Sequence, residues 1–151
     1  MRFTLPLLCA ALVAASGPAA AQVVVTPVRD LAFGAVIVGV PTYVGPSDPV
    51  RSGQFRVSAP DGTKVQIRFT LPDRLDGPAG ATLPIAFANN DALHVGTGSN
   101  SVPATFNPRA TRNLQISDDA VLVFIGGTVS PAGGQRHGNY AGTIILTVNV
   151  Q

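Results

Sequence analysis

From Lys64 to Leu71 the chain reads Lys-Val-Gln-Ile-Arg-Phe-Thr-Leu, an unbroken alternation of polar and apolar residues. Successive side chains of an extended strand point to opposite faces. Val65, Ile67, Phe69 and Leu71 therefore share one face, and Lys64, Gln66, Arg68 and Thr70 the other. A helix would scatter the same four apolar residues around its circumference. One face must be buried and the other wet, which is the pattern of an antiparallel sheet lying on a core. The closing run from Tyr140 to Val150 repeats it, with Ile144, Leu146, Val148 and Val150 inward and Ile145, Thr147 and Asn149 opposite. That run is long for a strand and is expected near the centre of a sheet.

Composition removes the helical alternative. The chain has one Lys and no Glu, the usual surface helix formers, but 16 Gly and 13 Pro to punctuate strands and turns. Val23-Val24-Val25 opens a β-branched run stopped by Pro27. Leu31 to Gly34 and Val36 to Val38 read as further strands with a bend at Gly34. Tyr43 to Ser52 is rich in Gly, Pro, Ser and Asp and reads as a loop. Gln54 to Ser58 alternates, with Phe55 and Val57 on one face. Ala59-Pro60-Asp61-Gly62 is a turn in which Pro sets φ and Gly tolerates a positive one, so the runs on either side are expected to form a hairpin. Ile85 to Ala88, Leu93 to Val95 and Leu114 to Ile116 are short candidates. Ala120 to Ile125 is continuously apolar, as in a strand buried on both faces, and Gly126-Gly127 breaks it before Thr128-Val129. About seven or more short strands with turns at regular spacing predict an all-β fold, an immunoglobulin-like antiparallel β-sandwich, with a small β-barrel as the alternative.

The N-terminus predicts export. Arg2 precedes an apolar stretch from Phe3 to Ala15, and Ala19-Ala20-Ala21 offers small residues for cleavage. The stretch is shorter than the ~20 residues a membrane span needs, and Ser16, Gly17 and Pro18 interrupt it. Leu8 before Cys9 does not suit lipidation. Residues 1–21 are thus expected to be a signal peptide and 22–151 a single sandwich domain, exported to the periplasm, the cell surface or the medium, with no membrane span after cleavage. The 130 residues that remain of 151 suffice for one core. Cys9 leaves with the signal, so the domain relies on burial and sheet hydrogen bonds. Without Arg2, 9 Lys and Arg stand against 8 Asp, scattered singly, which offers nothing to nucleic acid.

The search for chemistry is negative. His94 and His137 are read as exposed loop residues, neither with companion ligands at metal spacing. Gly96-Thr97-Gly98 lacks the Lys-Ser/Thr ending of a phosphate loop, and no helix follows it. Asp118-Asp119 reads as a polar turn, and Asp73 and Asp76 as loop residues that solvate Arg74. There is no Gly-x-Ser-x-Gly elbow and no Trp. No residue is assigned as catalytic, cofactor-binding or metal-ligating, and the chain is not read as an enzyme.

Three ordered segments carry a resemblance. Leu31-Ala32-Phe33-Gly34 with Val38-Gly39 comes first. Phe55-x-Val57, Pro60-x-Gly62 and Val65-x-Ile67-x-Phe69-Thr70-Leu71-Pro72 follow. Phe124-x-Gly126-Gly127-Thr128-Val129, Gly138-x-Tyr140-x-Gly142-Thr143 and Leu146-Thr147-Val148-Asn149-Val150-Gln151 close the chain. Together they resemble domain-of-unknown-function family 4402, which is similar to the spore-coat-U-like subunits of archaic chaperone–usher pili. The resemblance implies a bacterial, pilin-like structural or adhesive surface protein whose partners are other surface-fibre subunits or a periplasmic chaperone. The chain departs from those pilins in having no cysteine after residue 21 and only nine residues, Gln22 to Asp30, before Leu31. Val23 to Val28 is therefore expected to be the domain's own first strand rather than a strand donated to a neighbour. The alternative function is a monomeric periplasmic or secreted binding module that grips a glycan or protein through loops such as Asp91 to Pro103.

Overall fold

The structure, a computed structural model, describes residues 22–151. The expected signal peptide, with Cys9, lies outside them. The chain forms β1 (Val24–Arg29), β2 (Thr42–Val44), β3 (Gly53–Ser58), β4 (Lys64–Thr70), β5 (Arg74–Asp76), β6 (Thr82–Ala86), β7 (Ala92–Gly96), β8 (Ala104–Phe106), β9 (Arg112–Gln115), β10 (Ala120–Ile125), β11 (Gly127–Val129) and β12 (Ile145–Val150). The only helical element among the described residues is one 3-10 turn at Pro78–Gly80. Every strand pairing is antiparallel.

One layer is a five-stranded sheet in the order β1-β3-β10-β7-β8. Facing it are a four-stranded sheet, β2-β11-β6-β5, and a three-stranded sheet, β12-β4-β9. The two smaller sheets are nearly continuous. Only Leu71-Pro72-Asp73 separate β4 from β5, and a bridge between Asp76 and Ala141 extends the β4–β12 pairing past the break. One hydrophobic cluster joins all three sheets, with Val57 and Val123 from the first, Ile85 and Val129 from the second, and Ile67 and Phe69 from the third. The all-β sandwich expected from the sequence is the observed fold.

The alternation of β4 is realised as read: Val65, Ile67 and Phe69 are buried while Lys64, Arg68 and Thr70 are exposed. The Phe69 ring meets Phe55 edge-on at 5.9 Å and stacks on Phe106 at 6.4 Å, which ties the third sheet to the first.

Four local expectations are corrected. First, β3 and β4 are not a hairpin. Both edges of β3 are taken by β1 and β10, and both edges of β4 by β12 and β9. The Pro60–Thr63 turn, closed by the Thr63 amide donating to the Pro60 carbonyl at 3.1 Å with Gly62 at φ 80°, carries the chain from one layer to the other. Second, β12 is an edge strand, not a central one. It begins only at Ile145, and Val150 is 52% exposed. Its inward residues Ile144, Leu146 and Val148 pack on the core from the rim. Third, Leu31–Gly34 and Val36–Val38 form no strand. Fourth, the stretch read as a loop from Tyr43 holds part of β2, and β5 and β8 arise where no strand was expected. β6 also starts three residues before the expected Ile85, because Thr82, Leu83 and Pro84 pair with Asp76, Leu75 and Arg74 of β5.

β1 pairs with β3 from Val24 opposite Ser58 to Arg29 opposite Gln54, with the register shifting between Pro27 and Arg29. A prolyl residue cannot donate to a ladder, so an edge strand with a bulge is where it is tolerated. The first strand is thus supplied in cis.

Two outcomes follow from these contacts. Phe69→Ala removes a ring that is 5% exposed and should cost about 3–5 kcal/mol in a denaturant melt. A loss under about 1 kcal/mol would contradict the aromatic packing. Deleting Gln22 to Val28 strips β3 of its outer neighbour, so the truncated domain should unfold at lower denaturant and aggregate through the bared edge, as light scattering would register.

Candidate functional site

The two layers do not close on each other everywhere. Between the end of β1 and the approach to β12 lies a cleft of about 820 Å³, within the range of ligand-sized cavities. Its floor is the core itself: Leu83 and Ile85 of β6, Ile125 of β10 and Val129 of β11. Its walls are the half-buried side chains of Phe33, Phe55 and Ile144. Alternation explains the apolar floor, since these strands turn every second residue toward the gap.

Tyr140 fixes the wall on the β12 side. Its ring lies against Gly77 so closely that a side chain there would collide with it. The phenol donates to the Arg136 carbonyl at 2.7 Å and accepts from the Gln135 amide at 2.6 Å; that amide also donates to the Thr82 carbonyl at 3.1 Å. The arrangement has the logic of a tyrosine corner, in which a hydroxyl just before a strand reaches back to the backbone upstream.

Arg29, at the opposite lip, is committed to structure. Its guanidinium donates to the Ser52 carbonyl at 2.7 Å and the Ser52 hydroxyl at 2.9 Å, and also reaches the Pro49 carbonyl. Ser52 is fully buried and donates to the Asp48 carbonyl at 2.6 Å. The Asp48 carboxylate accepts the Arg51 and Val50 amides, which hold its pKa below the ordinary value. This chain of bonds orders the loop between β2 and β3.

The residues with chemical potential lie apart from one another. His94 is not in a loop: it sits on β7 opposite Ala104, half-buried, 5.7 Å from the Phe106 ring. Its Nε2 is 3.4 Å from Arg112 Nη2 on β9. A guanidinium can only donate, so the neutral ring accepts there. Desolvation, and secondarily the Arg112 charge, lower the His94 pKa. His137 is exposed at the cleft lip. Asp118 and Asp119 form the expected turn, both at positive φ, with the Asp118 amide donating to Asp61 Oδ1 at 3.1 Å. Asp73 pairs with Arg109 at 3.1 Å rather than with Arg74, and Arg74 and Asp76 belong to β5 rather than to a loop. Gly98 lies under the Asp118 carboxylate, so Gly96-Thr97-Gly98 has no open cradle. Among the described residues no three His, Cys, Asp or Glu side chains are grouped as metal ligands would be. No helix among them is long and apolar enough to cross a membrane.

The cleft is the feature that sequence reasoning missed. Its one signal was the apolar, uncharged run Leu31–Val40, which lines one side without forming a strand. No protein-family model matches the chain, and no curated protein or solved structure is significantly similar to it.

Two measurements probe this arrangement. Tyr140→Phe removes the hydroxyl from both hydrogen bonds and should destabilise the domain by about 1 kcal/mol, with local hydrogen exchange quickening in 135–140. For His94 the folded pKa lies below the unfolded value of 6.5. Between these two values the unfolded chain binds more protons, so stability is full above the unfolded value and falls as the solution is acidified through that window. His94→Gln should flatten that part of the stability–pH curve, and an unchanged slope would contradict the burial of the ring against Phe106.

Proposed function

We propose that this protein is an exported, non-enzymatic structural or adhesive subunit of a cell-surface fibre, pilin-like, which receives a strand from a neighbour along β12 and does not donate β1. The observation that carries the reading is the contrast between its edges. Proteins blunt exposed strand edges with brevity, charge, proline or bulges. β1 has Pro27 and a shifted register, β2 and β8 are three residues long, and β9 carries Arg112. β12 has none of these devices. It pairs with β4 in continuous register over six residues, Ile145 to Val150, with no charge and no proline.

An edge of this kind offers a ladder of main-chain donors and acceptors to an added strand. The family resemblance of the Phe33, Phe69 and Tyr140 segments supports the same role. Among the described residues, the ionisable side chains Asp30, Arg136 and His137 that line the cleft are exposed at its rim, and Arg29 and Tyr140 are engaged in hydrogen bonds that hold its walls. Because β1 already completes the first sheet, the subunit would accept without donating, a role that suits the end of a fibre.

The test is fractionation of cells producing the protein. It should travel with sheared surface fibres, and Thr147→Lys, which charges the open strand, should leave it folded but soluble in the periplasmic fraction. Recovery of the unaltered protein solely as a free monomer would overturn the fibre role in favour of a loop-based binding module.

A further inference from the structure

We propose that the cleft binds a single-chain anionic amphiphile, a fatty-acid carboxylate whose hydrocarbon tail occupies the apolar floor and whose head group meets Arg136 at the lip. The floor selects the tail. Leu83, Ile85, Ile125 and Val129 are aliphatic, and Phe33 and Ile144 add half-buried apolar walls. A sugar or a nucleotide laid on such a floor would leave polar groups without partners, at a cost that a hydrocarbon escapes. The volume, about 820 Å³, suits a small ligand such as a chain of about twelve carbons. No residue of β12 lines the cleft, so the site stands or falls independently of the fibre role.

The lip selects the head. Of the polar side chains around the cleft, Arg29, Gln135 and Tyr140 are spent on hydrogen bonds within the fold. Arg29 and Asp30 are neighbours whose formal charges cancel. The rest stand together on one lip: Arg136, His137 and Asn139, all three exposed. Each carries an N–H donor. Arg136 takes part in neither of the ion pairs found among the described residues, Arg51 with Asp48 and Arg109 with Asp73. Its charge is the excess at the rim.

The fold holds this lip in place. The Tyr140 hydroxyl donates to the Arg136 carbonyl at 2.7 Å, and the Gln135 amide joins that hydroxyl to the Thr82 carbonyl. Gly138 lies so close to the Pro78 ring that a Cβ there would collide with it. The main chain of Arg136 is therefore anchored while its guanidinium stays open to solvent. A guanidinium presents a planar fork that fits a carboxylate through two parallel hydrogen bonds. A cleft that is apolar along its floor, with one anchored cation at its mouth, is complementary to a molecule that is apolar along its length and anionic at one end.

The experiment titrates monomeric dodecanoate, and dodecanol as the uncharged chain of equal length, into protein labelled at its isoleucine methyls. Dodecanoate should shift the methyls of Ile85, Ile125 and Ile144, which line the cleft, and leave those of Ile37 and Ile116, which do not. Lengthening the acid from octanoate to decanoate should tighten binding by about tenfold. Dodecanol should bind about threefold or more weakly than dodecanoate. Arg136→Gln changes an exposed side chain, so the unfolding midpoint should stay in place while the preference for the acid disappears. An alcohol that binds as tightly as the acid, or a preference that survives Arg136→Gln, would overturn the proposal. So would an absence of shifts at the three cleft methyls. The same shifts on raising protein concentration alone would place a second copy in the cleft, and shifts with phosphatidylglycerol vesicles but not with monomeric dodecanoate would place a membrane surface there; either result overturns the proposal.

Discussion

The sandwich depends on one crossing. From Ala120 to Val129 a single run of chain serves both layers, first as β10 between β3 and β7, then as β11 between β2 and β6. The change of sheet takes place at Gly126, whose Cα lies so close to the Val44 carbonyl that a side chain would collide with it. The Gly126 amide donates to the Asp91 carbonyl at 2.7 Å, and the buried Asp91 carboxylate accepts the Ala88 amide at 2.7 Å. The corner is therefore satisfied on its polar side and closed to any Cβ on the other. Val123, Ile125 and Val129 are fully buried because they point from the two layers into the shared core, whereas Leu122 and Phe124 on the other face of β10 are half-buried, so the strand is not covered on both faces as its sequence suggests. That arrangement lets residues 22–151, which contain no cysteine, hold two layers together by burial alone.

The same crossing sets where the sandwich is open. β10 is the central strand of its five-stranded sheet and β11 an inner strand of the four-stranded one, and the cleft opens between the end of β1 and the segment that leads into β12. The residues that flank the crossing, Ile125 and Val129, form part of the cleft floor together with Leu83 and Ile85. A tightly packed seam and an accessible apolar groove are thus two aspects of one strand path, and the groove needs no separate scaffold.

How far this was legible depends on whether a strand's neighbours resemble its own pattern. β4 reads plainly because one face meets the core and the other water, so Val65, Ile67 and Phe69 alternate with charged and polar residues. β10 reads plainly as a continuous apolar run because it is interior. The Pro60–Gly62 turn predicts a hairpin between β3 and β4, yet a turn fixes only the local reversal of the chain; which edges are free to pair is decided by β1, β10, β12 and β9, far away in sequence. β5 and β8 are three-residue strands with no internal period to detect. Leu31–Val38 reads as strand from its β-branched and aromatic content, but it pairs with no strand and instead packs Leu31, Phe33 and Val36 on the core, so tertiary context overrides propensity. His94 looks like a loop residue because its partners, Phe106 and Arg112, are 12 and 18 positions away and contribute no local motif.

The two open sides differ in a way that bears on assembly. Releasing β1 would bare the whole of β3, whose Phe55 and Val57 sit over the core, so the chain has much to lose by lending that strand out. β12 has nothing to release: its inner edge stays on β4 whether or not its outer edge is occupied. Adding a strand there creates main-chain bonds and covers apolar surface without breaking any existing pair. The asymmetry between a first strand that is costly to give away and a last strand that is free to receive follows from topology alone. It gives a single direction to any assembly that proceeds by strand addition.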